Sequence, residues 1–294
     1  MSFEIQEGEE LQTGIRRVAI ERLEEAITCL GDESASLHDR IHDARKRFKE
    51  ARSVARVVRV PLGVLYDLEN GWFREEGRSL SAFRDAEALL ESVRKWRDEI
   101  TSEACAESFE KLEGELTRNQ EASSANDVEE RMSQIALDCQ DAILRIDAWP
   151  LSGITWSDIA PAVESTYRRS RRAFRNAAGD GTALNFHEWR KQAKDSWYQS
   201  QLFRNIWEEP MKAQRTILDD LAKGLGDHHD LTLLEGFVAA QTPDERLTAA
   251  LTAVRQSLEE NALSVGRRIY TERPRDFAER MSAWWKEWYV PTTS

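Results

Sequence analysis

The stretch His42-Asp43-Ala44-Arg45-Lys46-Arg47-Phe48-Lys49-Glu50 has a second version far along the chain, His187-Glu188-Trp189-Arg190-Lys191-Gln192-Ala193-Lys194-Asp195. Both read H-acid-x-R-K-x-x-K-acid. At about 100° per residue, the His, Arg, Lys and Lys of each copy fall within an arc of roughly 100° on a helix. Like charges on one face repel by a few tenths of a kcal/mol per neighbouring pair, so an anion is expected opposite them. Arginine offers a planar fork to phosphate oxygens and lysine a mobile point charge. Histidine beside a bound anion has its protonation favoured. The chemistry these residues suit is recognition of a flexible polyanion. A competing reading leaves the cations solvated or paired with the chain's own carboxylates. Such surface pairs contribute under about 1 kcal/mol each, a weak reason to gather so many cations.

Other chemistries are poorly supplied. His228-His229-Asp230 invites a metal reading, but neighbours on a helix point about 100° apart and no H-x-x-x-H pair accompanies them, so no metal site is expected. Glu69-Asn70 near Arg74 is too weak a signal for acid–base work, and neither a glycine-rich phosphate loop nor a serine nucleophile elbow occurs. No catalytic residue and no cofactor are expected. Cys29, Cys105 and Cys139 are odd in number and lack CxxC spacing, which argues against a disulfide framework or zinc knuckle and for a reducing cytosol.

The charge balance sharpens the polyanion reading. A 294-residue chain of formal net charge −12 and pI ≈ 5.1 is no general nucleic-acid binder. Any anion site must be local. Eight Lys or Arg fall between Arg40 and Arg59 against Asp43 and Glu50, while Glu99 to Glu130 is strongly acidic. The acidic start, Met1 to Gly8, lacks a signal-peptide core, and no apolar run reaches the 18 or so residues of a membrane span. A soluble, cytoplasmic protein is the expectation.

Helices must position these residues, because nothing alternates with period two. Apolar residues from Ile15 to Leu30 recur at helical spacing, ended by Gly31. Ser36 with Asp39 starts a second helix that runs to Arg59 and stops at Pro61; Arg52 and Arg56 extend its basic stripe to about four turns. Further helices are expected over Leu62–Trp72, Leu80–Asn119 and Val128–Trp149. Pro161 then opens a very basic helix, Tyr167-Arg168-Arg169-Ser170-Arg171-Arg172, closed by Gly179-Asp180-Gly181. Asn185 with Glu188 caps the helix of the second copy, which runs to about Trp207. Pro210 starts the next, Gly224 to Gly226 interrupts it, and helices over about Glu245–Tyr270 and Arg275–Tyr289 complete the chain. The tryptophans at 189, 197, 207, 284, 285 and 288 are expected in packing.

His42 and His187 are 145 residues apart, and Leu80-x-x-x-Arg84-Asp85 precedes Leu225-x-x-x-His229-Asp230 by the same 145. Two matches in one register point to internal duplication. The expected fold is an all-α, duplicated helical bundle. Its two four-helix-bundle-like halves, about 10–150 and 151–290, would be related by a pseudo-twofold axis.

These residues together resemble a CHAD domain, the conserved histidine α-helical domain, over about Gly14 to Trp288. The resemblance implies a stand-alone domain, without the triphosphate-tunnel domain often found beside it, since Phe3 to Gly8 does not form an E-x-E-x-K signature. It also implies non-enzymatic binding of inorganic polyphosphate in a basic groove, in the cytoplasm and at polyphosphate granules, with nucleic acid and membrane disfavoured as partners. The residues it implicates are His42, Arg45, Lys46, Lys49, Arg52, Arg84, Arg168, Arg171, Arg172, His187, Arg190, Lys191, Lys194 and His229, to which the helical stripe adds Arg56. Trp197 stands where the first copy has Arg52, and His229 where it has Arg84, so the second half is expected to bind less strongly. A phosphohydrolase acting on phosphate chains is the alternative, and a scaffold with internally paired stripes a third reading.

Overall fold

The stripe from Ile15 to Leu30 buries one face of α1 (Leu11–Gly31), where Ile15, Val18, Ala19, Leu23 and Ala26 are fully enclosed. The computed structural model describes residues 3–120, 125–241 and 243–289, leaving out the side chains at 82–86, 103–104, 119–120 and 125–126. No strand occurs among the described residues, and the chain is all-α.

Helix α2 (Leu37–Val57) opens at Ser36, whose hydroxyl accepts from the Asp39 amide at 3.1 Å. Pro61 falls in a single turn, α3 (Arg59–Leu62), ahead of α4 (Val64–Ser79). The single helix expected over Leu80–Asn119 is instead two, α5 (Ser81–Glu99) and α6 (Glu103–Gln120). Packing explains the break: Leu90, Val93 and Trp96 bury against Cys105, Phe109 and Leu112, a contact that one straight helix of that length could not make with itself. Helix α7 (Ala125–Asp147) closes the first half.

Helix α8 (Trp156–Asp180) begins five residues before Pro161, because Thr155 and Asp158 form a capping box. Pro161 therefore lies inside the helix, where its missing N–H forfeits one bond. Gly181, at φ 63°, ends α8 in the left-handed region that a Cβ disfavours. Thr182, not Asn185, caps α9 (Ala183–Leu202), its hydroxyl accepting from the Asn185 amide at 3.2 Å. A 3-10 turn, Arg204–Ile206, ends that segment before Trp207. Helix α10 (Glu208–Gln241) runs through Gly224 and Gly226 unbroken. Leu221, Ala222, Leu225, Leu231 and Leu234 are buried on both sides of the glycines, and that burial outweighs about 1 kcal/mol per glycine. Helices α11 (Glu245–Ile269) and α12 (Pro274–Trp288) follow. Among the described residues, no helix is long and apolar enough to cross a membrane.

The pairing scheme repeats. Helix α1 packs on α2 and α7 as α8 packs on α9 and α12; α2 packs on α4 as α9 packs on α10; α5 pairs with α6 as α10 pairs with α11. The buried cores do not part at the half boundary, however. One is shared by α1, α2, α4, α7, α8, α9, the first part of α10, the end of α11 and α12. The other is built by α5 and α6 together with the far part of α10 and α11. Contact between α2 and α9 joins the halves and brings the two basic stripes together. Of the tryptophans, Trp189 is fully buried and Trp156 stacks on Trp285 at 4.8 Å, whereas Trp207 is 52% exposed, resting its edge against Trp284 at 5.0 Å.

Candidate functional site

Because Ile41, Ala44, Phe48, Ala51 and Val54 are buried, α2 must present Lys49, Arg52 and Arg56 away from that core face. On α9, buried Phe186, Trp189 and Ala193 do the same for Arg190, Lys191 and Lys194. These six cations line a cleft of about 450 Å³ between the two helices, with Arg169 of α8, Tyr66 of α4 and Tyr198 of α9. The carboxylates lining it are Glu188 and Asp195. Asp195 holds Arg56 at 2.6 Å and Glu188 holds Lys191 at 3.3 Å, which leaves the cleft with cations in excess.

The remaining groups are aimed by neutral partners. Arg52 donates to Asn70 Oδ1 at 2.8 Å, and Arg169 to Gln192 Oε1 at 3.2 Å. Burial, then the nearby charge of Arg56, holds both guanidinium groups below the ordinary arginine range, though arginine stays protonated at any physiological pH. The Lys194 ammonium lies 4.9 Å from the Trp197 ring centroid and 5.9 Å from that of Tyr198. Burial lowers its pKa, Asp219 opposes this, and Arg190 and Lys46 push it further down. Each of these cations has lost water without gaining a full counter-charge, so an anion entering the cleft relieves both losses.

A smaller recess of about 190 Å³ continues along α2, lined by Arg45, Lys49, Arg52, Arg74, Arg78 and Ser81 among others. Arg45 donates to the Gly77 carbonyl and to the Ser81 hydroxyl, which ties α2 to α4 and α5. Its counterpart Arg190 lies against Gly226, where a Cβ would come within 3.4 Å of Arg190 Nε. That Nε is buried without a hydrogen-bond partner.

The two histidine copies are placed differently. His42 is exposed at the start of α2, stacked 6.3 Å from His38. His187 is half-buried with its ring 4.1 Å from that of His229. Burial first, then Lys191 and Arg190, lowers the His187 pKa. Burial, then His187 and Arg190, holds His229 down at about 4. His228 turns away, fully buried, its Nε2 2.8 Å from Glu259 Oε1, as the 100° step between neighbours requires. Among the described residues, no group of three or more His, Cys, Asp or Glu is placed to hold a metal ion.

The basic run on α8 divides as well. Thr166, Ser170, Ala173 and Ala177 form its buried face. Arg169 borders that face and reaches the cleft, while Arg168 lies opposite it, exposed and paired with Glu164. Arg172 is exposed too, and Arg171 donates to the Tyr270 carbonyl at 3.0 Å. None of these three lines the cleft. Lys46 stands close enough to Lys194 to depress its pKa. Arg84 belongs to α5, but its side chain is outside the described residues. Sequence reasoning missed Arg169, Arg74 and Arg78. The signal that could have found Arg169 was the spacing of the small residues from Thr166 to Ala177.

Comparison with curated proteins finds no match. The sequence does match the CHAD domain over residues 21–239, which takes in α2, α9 and both walls of the cleft, but leaves α11 and α12 outside the matched span. With that match covering most of its length, the chain belongs to the CHAD domain family.

Proposed function

We propose that the cleft between α2 and α9 binds inorganic polyphosphate without turning it over. The family is one associated with polyphosphate binding, which supplies the substrate class. The observation that carries the reading is the crowding of Lys49, Arg52, Arg56, Arg169, Arg190, Lys191 and Lys194 around one cleft with two carboxylates, both already paired. A thin, unbranched phosphate chain can enter such a cleft. Duplex DNA meets the surrounding surface of a protein of net charge −12 and is held off. We extend the proposal to a pseudo-twofold relation between the halves, about 10–150 and 151–290, which the repeated helix pairing supports. Its setting would be the cytoplasm, at polyphosphate granules.

The deciding experiment is calorimetric titration of the full chain with long-chain polyphosphate, with duplex DNA as competitor and orthophosphate release followed in parallel with and without divalent metal. Tight binding that DNA does not displace, with no orthophosphate released, is the expected result. Equal affinity for DNA at the same salt concentration would overturn the charge-density argument. Steady orthophosphate release would replace the binding module with a phosphohydrolase.

A further inference from the structure

A further, partly enclosed cavity of about 250 Å³, sharing no lining residue with the basic cleft, is bounded by α8, α9, α10, the end of α11 and α12. Its walls are mainly apolar: Leu218, Met281, Phe277 and Tyr167 are all buried, and the Tyr167 and Phe277 rings stack at 4.3 Å. Ile217, 45% exposed, stands at the mouth. Small-molecule sites share this character, a concave apolar chamber with a few placed polar groups.

Three observations define what it would take. Gln199 lines the cavity while only 7% exposed, and its Oε1 is buried without a hydrogen-bond partner, a group that costs free energy to leave unmet. The lining hydroxyls have already given their protons elsewhere: Ser196 donates to the Gln192 carbonyl at 3.1 Å, Ser200 to the Trp197 carbonyl at 2.7 Å and Tyr167 to the Ile269 carbonyl at 3.0 Å. Beside these hydroxyls, the carboxamides of Gln199 and Gln214 line the cavity, and each can both donate and accept. The charged residues at its edge, Arg280 and Glu272, are paired with each other at 2.8 Å, so no charge is left over for a ligand to balance.

We infer that this cavity is a binding site for a neutral, predominantly apolar small molecule carrying a single hydrogen-bonding group such as a hydroxyl, separate from the polyanion cleft and independent of that assignment. The polar group meets the Gln199 carboxamide, and the apolar body replaces empty space against Leu218, Met281 and the stacked rings.

Phenol, toluene and benzoate serve as probes, followed by the melting temperature of the full chain and by calorimetry. Phenol should raise the melting temperature saturably, as a ligand of the folded state does. Toluene, lacking the hydroxyl, should bind several-fold more weakly, about tenfold at most, the size of one net hydrogen bond. Benzoate should give no response. Leu218→Trp fills the chamber and should abolish the phenol effect while polyphosphate titration stays unchanged. Should that variant misfold, Ile217→Trp blocks the mouth without burdening the core, and the same loss is expected. Gln199→Leu should bring phenol down to the affinity of toluene. An absent phenol response, a response surviving in the blocked variants, or benzoate binding as well as phenol would each overturn the assignment.

Discussion

On α2 the cations are held by the protein itself. Arg45 reaches Gly77 and Ser81, Arg52 reaches Asn70, Arg56 reaches Asp195, and Arg47 bridges Glu25 at 2.9 Å and Glu50 at 2.7 Å. On α9 the same pattern is less tethered. Gln192 stands in the place of Arg47, Arg190 meets Gly226 where Arg45 meets Ser81, and Lys194 is pressed over Trp197 and Tyr198. Even the closing acid of the motif differs in use. Glu50 is buried in a network with Arg22 and Arg47, whereas Asp195 crosses to Arg56 of the other copy. Similar charge patterns thus produce one stripe held mainly by hydrogen bonds and ion pairs and one whose Lys194 and His187 are pressed by burial, a load that Arg52 bears on the first. The sequence-based expectation that the second half binds less strongly is therefore open to reversal, since a lysine already stripped of water loses little more when phosphate arrives.

Arg169 faces both stripes, so its replacement should have the largest effect. Arg169→Glu removes a charge-assisted contact and adds a carboxylate to the cleft; polyphosphate affinity should fall at least about a hundredfold by titration at fixed salt. An unchanged affinity in a folded variant would mean the cleft is not the site. Next come the paired variants that set one stripe against the other. Arg190→Ala with Lys194→Ala should weaken binding about fiftyfold, and Arg45→Ala with Lys49→Ala about fivefold. In each pair the slope of log affinity against log salt should shrink by something under one unit per lost contact. If the α2 pair proves the more damaging, tethering matters more than desolvation and the comparison is inverted.

Much of this arrangement was legible in the chain. The two H-acid-x-R-K-x-x-K-acid copies located both walls, and the Ser36 cap and Gly181 stop were read from local chemistry that tertiary contacts left alone. Rotation of α8 was not legible, because beyond Tyr167 its buried face is made only of Ser170, Ala173 and Ala177, whose apolar signal is faint beside five arginines. The continuity of α10 was hidden for the opposite reason: Gly224 and Gly226 announce a break that burial on both sides overrides. Sharing of a core by α5, α6, α10 and α11 is a long-range fact that no local pattern encodes.

The stripes should also differ in what they do for the fold. Arg45→Ala leaves the Gly77 carbonyl and Ser81 hydroxyl without their cationic donor and should cost about 1–2 kcal/mol in urea denaturation. Arg190→Ala removes a guanidinium whose Nε is unpartnered, as that of Arg45 is, but which lacks the ties that bind Arg45 to Gly77 and Ser81, and it should stay within about 0.5 kcal/mol. Equal losses would show that Arg190 is as much a structural tie as Arg45.

The smallest effect expected is one of pH, and it carries opposite signs in the free and bound protein. His229 is held at about 4 by burial, with His187, Arg190, His228 and Lys191 adding to the depression, while an unfolded histidine titrates near its ordinary value of about 6.5. Between those values the unfolded chain binds the proton and the folded chain does not, so stability declines as pH falls through that window. A phosphate chain reaching past Arg190 toward the His187–His229 pair would raise both pKa values, and binding would then take up protons and tighten as pH falls. Acidification from pH 7.5 to 5.5 should thus lower the urea midpoint of the free protein while strengthening polyphosphate binding a few-fold beyond any common trend. His229→Gln should reduce both responses together. If the variant keeps the full pH dependence of binding but loses that of stability, the chain stops short of the histidine pair, and the cleft ends at Arg190.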